Sequence, residues 1–165
     1  PLKVGVFGNH ERYVGDGISA DIYARAGITL LRDQSLDVPG LGLRVLGVDD
    51  PGMHQGVPEI LARSIRDVAR DLRPGEFSLL LLHRPQGWKE AAVPLGVDLT
   101  VSGHTHAGQV FPFTLVVHGI YEFFKGFYEL DGRHLAVSSG AGYWGPPVRV
   151  LAPPDIILVD VKPAG

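Results

Sequence analysis

Residues 98–109 read DLTVSGHTHAGQ, and this stretch places two histidines directly after a predicted strand. The apolar residues of Asp98–Val101 predict the strand, and His104 and His106 lie in the loop that Gly103 opens. In an extended strand both rings would share a face, whereas a loop after glycine lets both point into one cleft. The spacing therefore suits a pair of metal ligands that face two different ions.

Two other predicted strands end in polar side chains of the same kind. Leu2–Phe7 reads as a buried strand that is followed by Asn9 and His10, and Ser78–Leu82 is a continuous apolar run followed by His83. In open α/β sheets, ligands bind at the carboxyl ends of the strands, where the loops converge. Imidazole suits zinc, iron and related metals, and the asparagine oxygen adds a harder ligand. A single histidine after a strand is usually structural, but several at three strand ends predict a metal site.

Strands and helices alternate in the first two thirds of the chain, and mostly antiparallel strands are predicted beyond Gln109. The best helix begins at Pro58, because apolar residues recur at three- and four-residue spacing after it. The other predicted elements are helices at Gly17–Ala26 and Trp88–Val93, strands at Thr29–Leu31, Leu43–Val48, Thr114–His118, Gly126–Leu130, His134–Ser138 and Ile156–Val161, a hairpin turn at Asp131-Gly132, and loops at Gly8–Glu11 and Asp49–Val57. The pattern predicts a single α/β domain over residues 1–165.

Composition excludes several classes of partner and ligand. The net charge of -3 and the pI of about 6.2 give no reason to expect a nucleic-acid-binding face. The sequence has no cysteine, so disulfides and thiolate metal sites are excluded and any metal must bind nitrogen and oxygen ligands. No apolar run reaches the roughly 18 residues that a membrane-spanning helix needs.

Three motifs resemble those of the calcineurin-like metallophosphoesterases. Gly8-Asn9-His10-Glu11, the isolated His83 and Gly103-His104-Thr105-His106 are similar to the family's third, fourth and fifth motifs in order and spacing. The stretches 102–109 and 139–149 resemble the bacterial predicted-phosphohydrolase branch. The resemblance implies a four-layer α/β/β/α sandwich, of which this chain would lack the opening β-α-β units.

The resemblance also implies a site for two divalent metal ions, of manganese, iron or zinc. Asn9, His83 and His104 would bind the second ion and His106 the first. His10 would protonate the leaving-group oxygen, with Glu11 orienting its ring. A hydroxide that bridges the ions would attack a phosphomonoester, phosphodiester or pyrophosphate.

The family's first two motifs, Asp-x-His and Gly-Asp-x-x-Asp, are not found in this sequence. Without them the first ion would keep only His106, and the second would lose its bridging carboxylate. Metal affinity depends on ligand number and preorganisation, so we expect weak metal binding and no activity from this chain alone. Upstream sequence would complete the site and could carry a membrane anchor, which leaves a cytoplasmic location or one peripheral to the bacterial membrane. The sequence leaves the oligomeric state open.

Several residues and the substrate class keep alternative interpretations. Arg12 and Arg149 are candidates for binding a substrate phosphate, against a purely structural role. His54, His118 and His134 read as structural or solvated, and Asp49-Asp50 as turn residues. Seven of the fourteen aromatic residues lie within residues 111–128, which predicts strand packing, a lip for a lipid-like substrate, or a membrane or partner surface.

Two rival functions therefore stand beside hydrolysis of a phosphorylated small molecule. The first keeps the chemistry but acts on a lipid-linked substrate, a UDP-sugar-lipid pyrophosphate of the lipid A type. The second is a non-catalytic binding module on the same fold. The missing aspartates favour the binding module, and the retention of five motif residues together argues against it.

Overall fold

A six-stranded mixed sheet lies at the centre of the structure, a computed structural model that describes residues 1–162. The strands are β1 Val4–Gly5, β2 Thr29–Leu30, β3 Gln34–Val38, β4 Leu43–Val48, β5 Phe77–Leu82, β6 Leu99–Ser102, β7 Gly126–Leu130 and β8 Arg133–Val137. The helices are α1 Asn9–Val14, α2 Asp16–Arg25, α3 Val57–Val68 and α4 Phe113–Ile120, with a π-helical turn at Trp88–Ala92 and a 3₁₀ turn at His106–Gly108. The predicted α/β class is confirmed.

The order β3-β4-β5-β6-β8-β7 brings the chemistry-bearing loops to one edge of the sheet. Strands β4, β5, β6 and β8 run parallel, while β3 and β7 pair antiparallel at the two ends. The loops after Val48, Leu82, Ser102 and Val137 therefore leave from the same edge, which we call the carboxyl rim. β1 and β2 form a separate parallel pair.

One face of the sheet and helix α3 form the core. Alternate residues of β5 point to this face, where Leu80 and Leu82 are fully buried. Leu61 and Ile65 of α3 pack on them, as their three- and four-residue spacing predicts. Trp88 is also buried there. This packing holds the central strands in register and so fixes the loops of the carboxyl rim.

Several predicted elements are confirmed closely. β4 and β7 have the predicted bounds, and α3 begins one residue before Pro58. Asp131 and Gly132 join β7 to β8 with φ values of 52° and 70°, the left-handed pair that a tight hairpin turn requires.

The predicted strand at Thr114–His118 is wrong, since these residues lie in helix α4. The valines and the threonine of this segment favour a strand, but the segment follows Pro112 and packs against the 3₁₀ turn at His106–Gly108. Tertiary contact outweighs local preference here. Beyond Gln109 only β7 and β8 are strands in the described residues, and β8 is also parallel to β6.

The predicted strand at Ile156–Val161 is also wrong, because the structure gives this segment no regular secondary structure. Its side chains alternate nonetheless: Leu158 is 96% exposed, whereas Val159 is 39% exposed and lines an apolar cavity against the sheet. In the described range, no backbone hydrogen bond joins residues 156–162 to a neighbouring strand. Alternating exposed and half-buried side chains do not form a β-strand here, because the backbone of residues 156–162 pairs with no neighbouring strand.

At the amino end of the chain, the predicted strand Leu2–Phe7 is reduced to Val4–Gly5, the two residues that pair with β2. The predicted loop Gly8–Glu11 is instead the start of α1. Glu11 accepts a hydrogen bond from Gly8 N at 2.8 Å, so the sequence Gly-x-x-Glu contains a helix-start signal that the loop prediction overlooked. β3 was not predicted, because its sequence QSLDV is mostly polar and lacks the apolar run that indicates a strand. Its antiparallel pairing with β4 is seen only in the structure.

Candidate metal centre

Asn9, His83 and His104 meet at the carboxyl rim and place three ligand atoms in a triangle. Asn9 Oδ1 lies 2.9 Å from His83 Nε2 and 3.1 Å from His104 Nδ1. The two imidazole nitrogens are 3.0 Å apart. The three side chains come from the first residue of α1, the residue after β5 and the loop after β6. The structure therefore brings together three of the predicted ligands, which are separated by up to 95 residues in sequence.

The triangle fits a divalent ion by its spacing and its donor chemistry. Ligands of a tetrahedral zinc ion, at bonds of about 2.0–2.1 Å, lie roughly 3.3 Å from one another. The three edges of this triangle are slightly shorter. Within residues 1–162 no group of three or more histidine, cysteine, aspartate or glutamate side chains could hold a metal ion, so an ion at the triangle would need Asn9 as its third ligand.

Burial favours the neutral form of the two histidines of the triangle. It lowers the pKa of His83 to about 4 and the pKa of His104 to about 3, and the positive charge of nearby Arg84 adds to both shifts. A histidine binds a metal only through a deprotonated nitrogen, so protons do not compete with an ion at neutral pH. The site is thereby prepared for a cation before one binds.

Two tyrosines contact the atoms of Asn9 and His104 that face away from the triangle. Tyr121 Oη lies 2.8 Å from His104 Nε2, and Asn9 Nδ2 donates to Tyr13 Oη at 3.2 Å. Burial raises the pKa of the half-buried Tyr121 phenol, so it remains protonated at neutral pH. The motif comparison missed both residues. Tyr13 lies one helical turn after Asn9, a spacing that could have indicated it.

The other two predicted site residues lie beside the triangle. His106 and His10 line the same cavity as the three ligands, and the pKa of His106 is lowered by burial, by Arg149 and by His10. His10 is exposed and packs edge-to-face on Tyr13, with ring centroids 5.3 Å apart. The cavity thus joins all five motif residues. The role implied for Glu11 needs correction, because its carboxylate binds the backbone of Gly8 rather than steering the His10 ring.

Arg149 binds backbone carbonyl oxygens around His106. Its guanidinium donates to the oxygens of Ser139 at 2.8 Å and Ala152 at 3.0 Å, and one nitrogen lies 3.4 Å from His106 Nδ1. This arrangement ties the loop after β8 to the His106 loop. Most N–H donors of Arg149 are therefore occupied within the protein. Its role in binding a substrate phosphate stays a prediction.

Arg12 is likewise bound within the protein. It donates to Asp50 O at 3.0 Å, to Asp16 at 2.6 Å and to Asp49 at 3.1 Å. Arg32 bridges the same two carboxylates, Asp16 and Asp49, at 2.6 and 2.7 Å. The four charges connect α1 and α2 to the end of β4, and substrate binding by Arg12 stays a prediction.

Asp50 and Arg84 form a buried ion pair beneath the site. Arg84 Nε and Nη2 contact the two carboxylate oxygens of Asp50 at 2.6 and 3.1 Å, and the Asp50 side chain has no exposed surface. Asp50 also accepts from Gly52 N at 2.7 Å, so the predicted turn chemistry is present. The pair joins the loops after β4 and β5, next to His83. No local sequence pattern indicates a role for Arg84, because its partner Asp50 lies 34 residues away.

A cavity of about 290 Å³ opens over the site, and its far wall is apolar. Phe113, Val117 and Ile120 of α4 form this wall together with Trp144. Ile120 is 65% exposed, and Leu115 and Val116 on the same helix are more than half exposed. Two aromatic residues of the segment, Phe113 and Tyr121, therefore line the cavity beside the triangle. Phe123 and Tyr128 instead pack against the hydrophobic core, as the strand-packing interpretation predicts.

A mixed α/β sheet that presents two imidazoles and an amide at its carboxyl rim is the arrangement of an α/β metal-binding protein. A metallophosphoesterase of Aquifex aeolicus is 36% identical over 166 residues, which cover 99% of this chain and 62% of the relative. One of Campylobacter jejuni is 37% identical over 94% of this chain and 41% of its own length. Over nearly its whole length the chain is thus similar to proteins named metallophosphoesterases.

The chain spans about two fifths to three fifths of the length of these curated relatives. A more distant relative from Danio rerio, 30% identical over 95% of this chain, is named a transmembrane protein with a metallophosphoesterase domain. No helix within residues 1–162 is both long and apolar enough to cross a membrane. No family model and no solved structure matches the chain.

Proposed function

We propose that the protein hydrolyses phosphoester bonds with the help of divalent metal ions. The observation that supports this most is the triangle of Asn9 Oδ1, His83 Nε2 and His104 Nδ1 beside the cavity. Bound ions would activate water and neutralise charge on the phosphoryl oxygens. Similarity over nearly the whole chain to proteins named metallophosphoesterases favours this reaction over other metal chemistry.

The chain's own residues would divide the work between binding and proton transfer. Asn9, His83 and His104 would hold one ion, and His106 would contribute to a second. His10 is exposed, lines the same cavity and is free of the triangle, which suits a group that protonates the leaving oxygen. We propose two ions, of manganese, iron or zinc.

This segment alone is proposed to be inactive, because residues 1–162 supply no carboxylate to the triangle. We propose that the protein lies in the cytoplasm or at the periphery of the bacterial membrane. The net charge of -3 gives no reason to propose a nucleic-acid substrate.

The apolar wall supports a second candidate, in which the substrate is lipid-linked. A phosphoryl group at the metal ligands would place its substituent against Phe113, Val117 and Trp144. Removing such apolar surface from water contributes roughly 25 cal/mol per Å² to binding. A UDP-sugar-lipid pyrophosphate would suit this wall better than a small hydrophilic phosphomonoester.

The test is hydrolysis of bis(p-nitrophenyl) phosphate with Mn²⁺, together with metal content, for this chain and for the protein with its upstream sequence. We expect turnover only with the upstream sequence, and loss of turnover in His104→Ala. His10→Ala should lower the rate roughly 10²–10⁴-fold, and more for alkyl esters, whose leaving oxygen needs the proton more. His54→Ala, on an exposed loop, is the matched control.

The outcomes separate the candidates. A longer protein that binds no metal and cleaves no phosphoester contradicts the enzyme and favours the binding module. Faster turnover of long-chain than short-chain alkyl esters, lost in Val117→Ser, supports the lipid-linked substrate. Equal turnover across chain lengths supports a small phosphorylated substrate instead.

A further inference from the structure

Two of the three ligand side chains can present the wrong atom to an ion. Asn9 could turn its amide by half a revolution and offer NH₂ in place of Oδ1, and His104 could carry its proton on Nδ1. Either change would put a hydrogen where a lone pair is needed. His83 is constrained differently, because its ring lies against the backbone of Gly8.

We infer that the phenols of Tyr13 and Tyr121 are positioning groups for the metal site, holding Asn9 Oδ1 and His104 Nδ1 toward His83 Nε2. The inference rests on the proposed function in that it needs a cation at the triangle. Neither tyrosine belongs to the motifs, and each contacts the far atom of one ligand side chain.

Tyr121 acts on the proton of His104. Tyr121 Oη lies 2.8 Å from His104 Nε2. When a cation takes the lone pair of Nδ1, the one ring proton lies on Nε2 and donates to this phenol oxygen. The two rings also pack edge-to-face, with centroids 5.6 Å apart, which fixes the direction of the imidazole. Hydrogen-bond partners of this kind fix the tautomer of metal-binding histidines.

Tyr13 acts on the rotation of the Asn9 amide. Asn9 Nδ2 donates to Tyr13 Oη at 3.2 Å, so the opposite side of the amide, Oδ1, faces the two imidazoles. Tyr13 is 54% exposed, and water can replace its hydroxyl. Its contribution is therefore smaller than that of the half-buried Tyr121.

The experiment measures Zn²⁺ affinity by calorimetry for the protein with its upstream sequence, as the wild type and as the variants Tyr121→Phe and Tyr13→Phe. Each substitution keeps the ring and removes only the hydroxyl. We expect Zn²⁺ to bind about 10–100-fold more weakly to Tyr121→Phe. The loss in Tyr13→Phe should be about 2–10-fold, the size of one net hydrogen bond. Tyr143→Phe, on an exposed loop tyrosine, is the control and should bind like the wild type.

A spectroscopic measurement distinguishes positioning from general weakening of the fold. In the metal-free chain, ¹⁵N chemical shifts should show the proton of His104 on Nε2, and Tyr121→Phe should shift this population toward Nδ1. Unchanged affinity and tautomer in Tyr121→Phe, with Zn²⁺ bound by the wild type, overturn the inference and leave the proposed function standing. A wild-type chain with upstream sequence that binds no Zn²⁺ overturns both.

Discussion

Gly8 shows how one missing side chain shapes the site. A Cβ at this position would lie 2.7–2.9 Å from three ring atoms of His83, closer than real Cβ atoms approach other groups. The backbone of Gly8 has an ordinary φ of -94°, so the requirement is for space and not for an unusual conformation. The glycine lets the imidazole lie flat against the start of α1.

Gly8→Ala should therefore disturb the protein through the His83 ring. We expect the free energy of unfolding to fall by roughly 1–3 kcal/mol, as for other overpacked sites, and Zn²⁺ binding to weaken. Urea denaturation and calorimetry measure the two effects. Gly17→Ala in α2, where a Cβ meets no atom within 4 Å, should be neutral or stabilising by up to about 1 kcal/mol. Equal urea midpoints for Gly8→Ala and the wild type would contradict the steric argument.

At the residue scale, the sequence indicated the ligands but not the groups that support them. Asn9, His83 and His104 follow strands, and that position predicts convergence at one rim. Tyr121 and Arg84 act through partners 17 and 34 residues away, whose proximity exists only in the folded chain. No local pattern could have revealed those contacts.

At the element scale, the predictions succeeded for helices and strands whose own hydrophobic pattern indicates their type. β4 is a buried strand with a strong apolar run, and α3 has a clear apolar face, so both were found. The sequence of α4 is a short, nearly continuous apolar run. Such a run has no hydrophobic periodicity that would distinguish a helix from a buried strand, so it was predicted as a strand. Its helical form determines that its side chains wall the cavity.

The ion pair of Asp50 and Arg84 connects two elements of the sheet, and its removal should be costly. Arg84→Met leaves a fully buried carboxylate without its partner, which typically costs about 3–5 kcal/mol of unfolding free energy. Urea denaturation followed by circular dichroism gives this value.

The matched control for this pair is Arg70→Met, which removes an exposed pair with Asp67 on the outer surface. That change should cost less than about 1 kcal/mol. Similar losses in the two variants would mean that the buried pair is not a structural connection. Adding Asp50→Asn to Arg84→Met should recover part of the loss, since the uncompensated charge is then gone.

For the molecule as a whole, the buried ligand histidines make stability depend on pH. Their pKa values in the folded protein, about 4 for His83 and about 3 for His104, lie below the 6.5 of an exposed histidine. Above pH 6.5 both states carry neutral rings and there is no effect. As the pH falls from 6.5 toward 4, only the unfolded chain takes up these protons, so stability declines.

The metal-free chain should thus be less stable at pH 5.0 than at pH 7.5, by up to about 2 kcal/mol for each of the two histidines. Urea denaturation in the presence of a chelator measures the difference. His104→Gln should reduce the pH dependence, whereas His54→Gln, on an exposed loop, should retain it. A wild-type dependence preserved in His104→Gln would contradict the assignment to this residue.

The parallel direction of β4, β5, β6 and β8 also places the candidate metal centre at one end of the sheet, away from the turns at the other end. The turns before these strands, at residues 39–42, 73–76 and 131–132, lie at the edge opposite the carboxyl rim. The strands that follow these turns have five or six residues, and at about 3.3 Å per residue they put the turns roughly 17–20 Å from the carboxyl rim. A fluorophore, an affinity handle or a surface anchor attached at these turns would leave the cavity open to solvent.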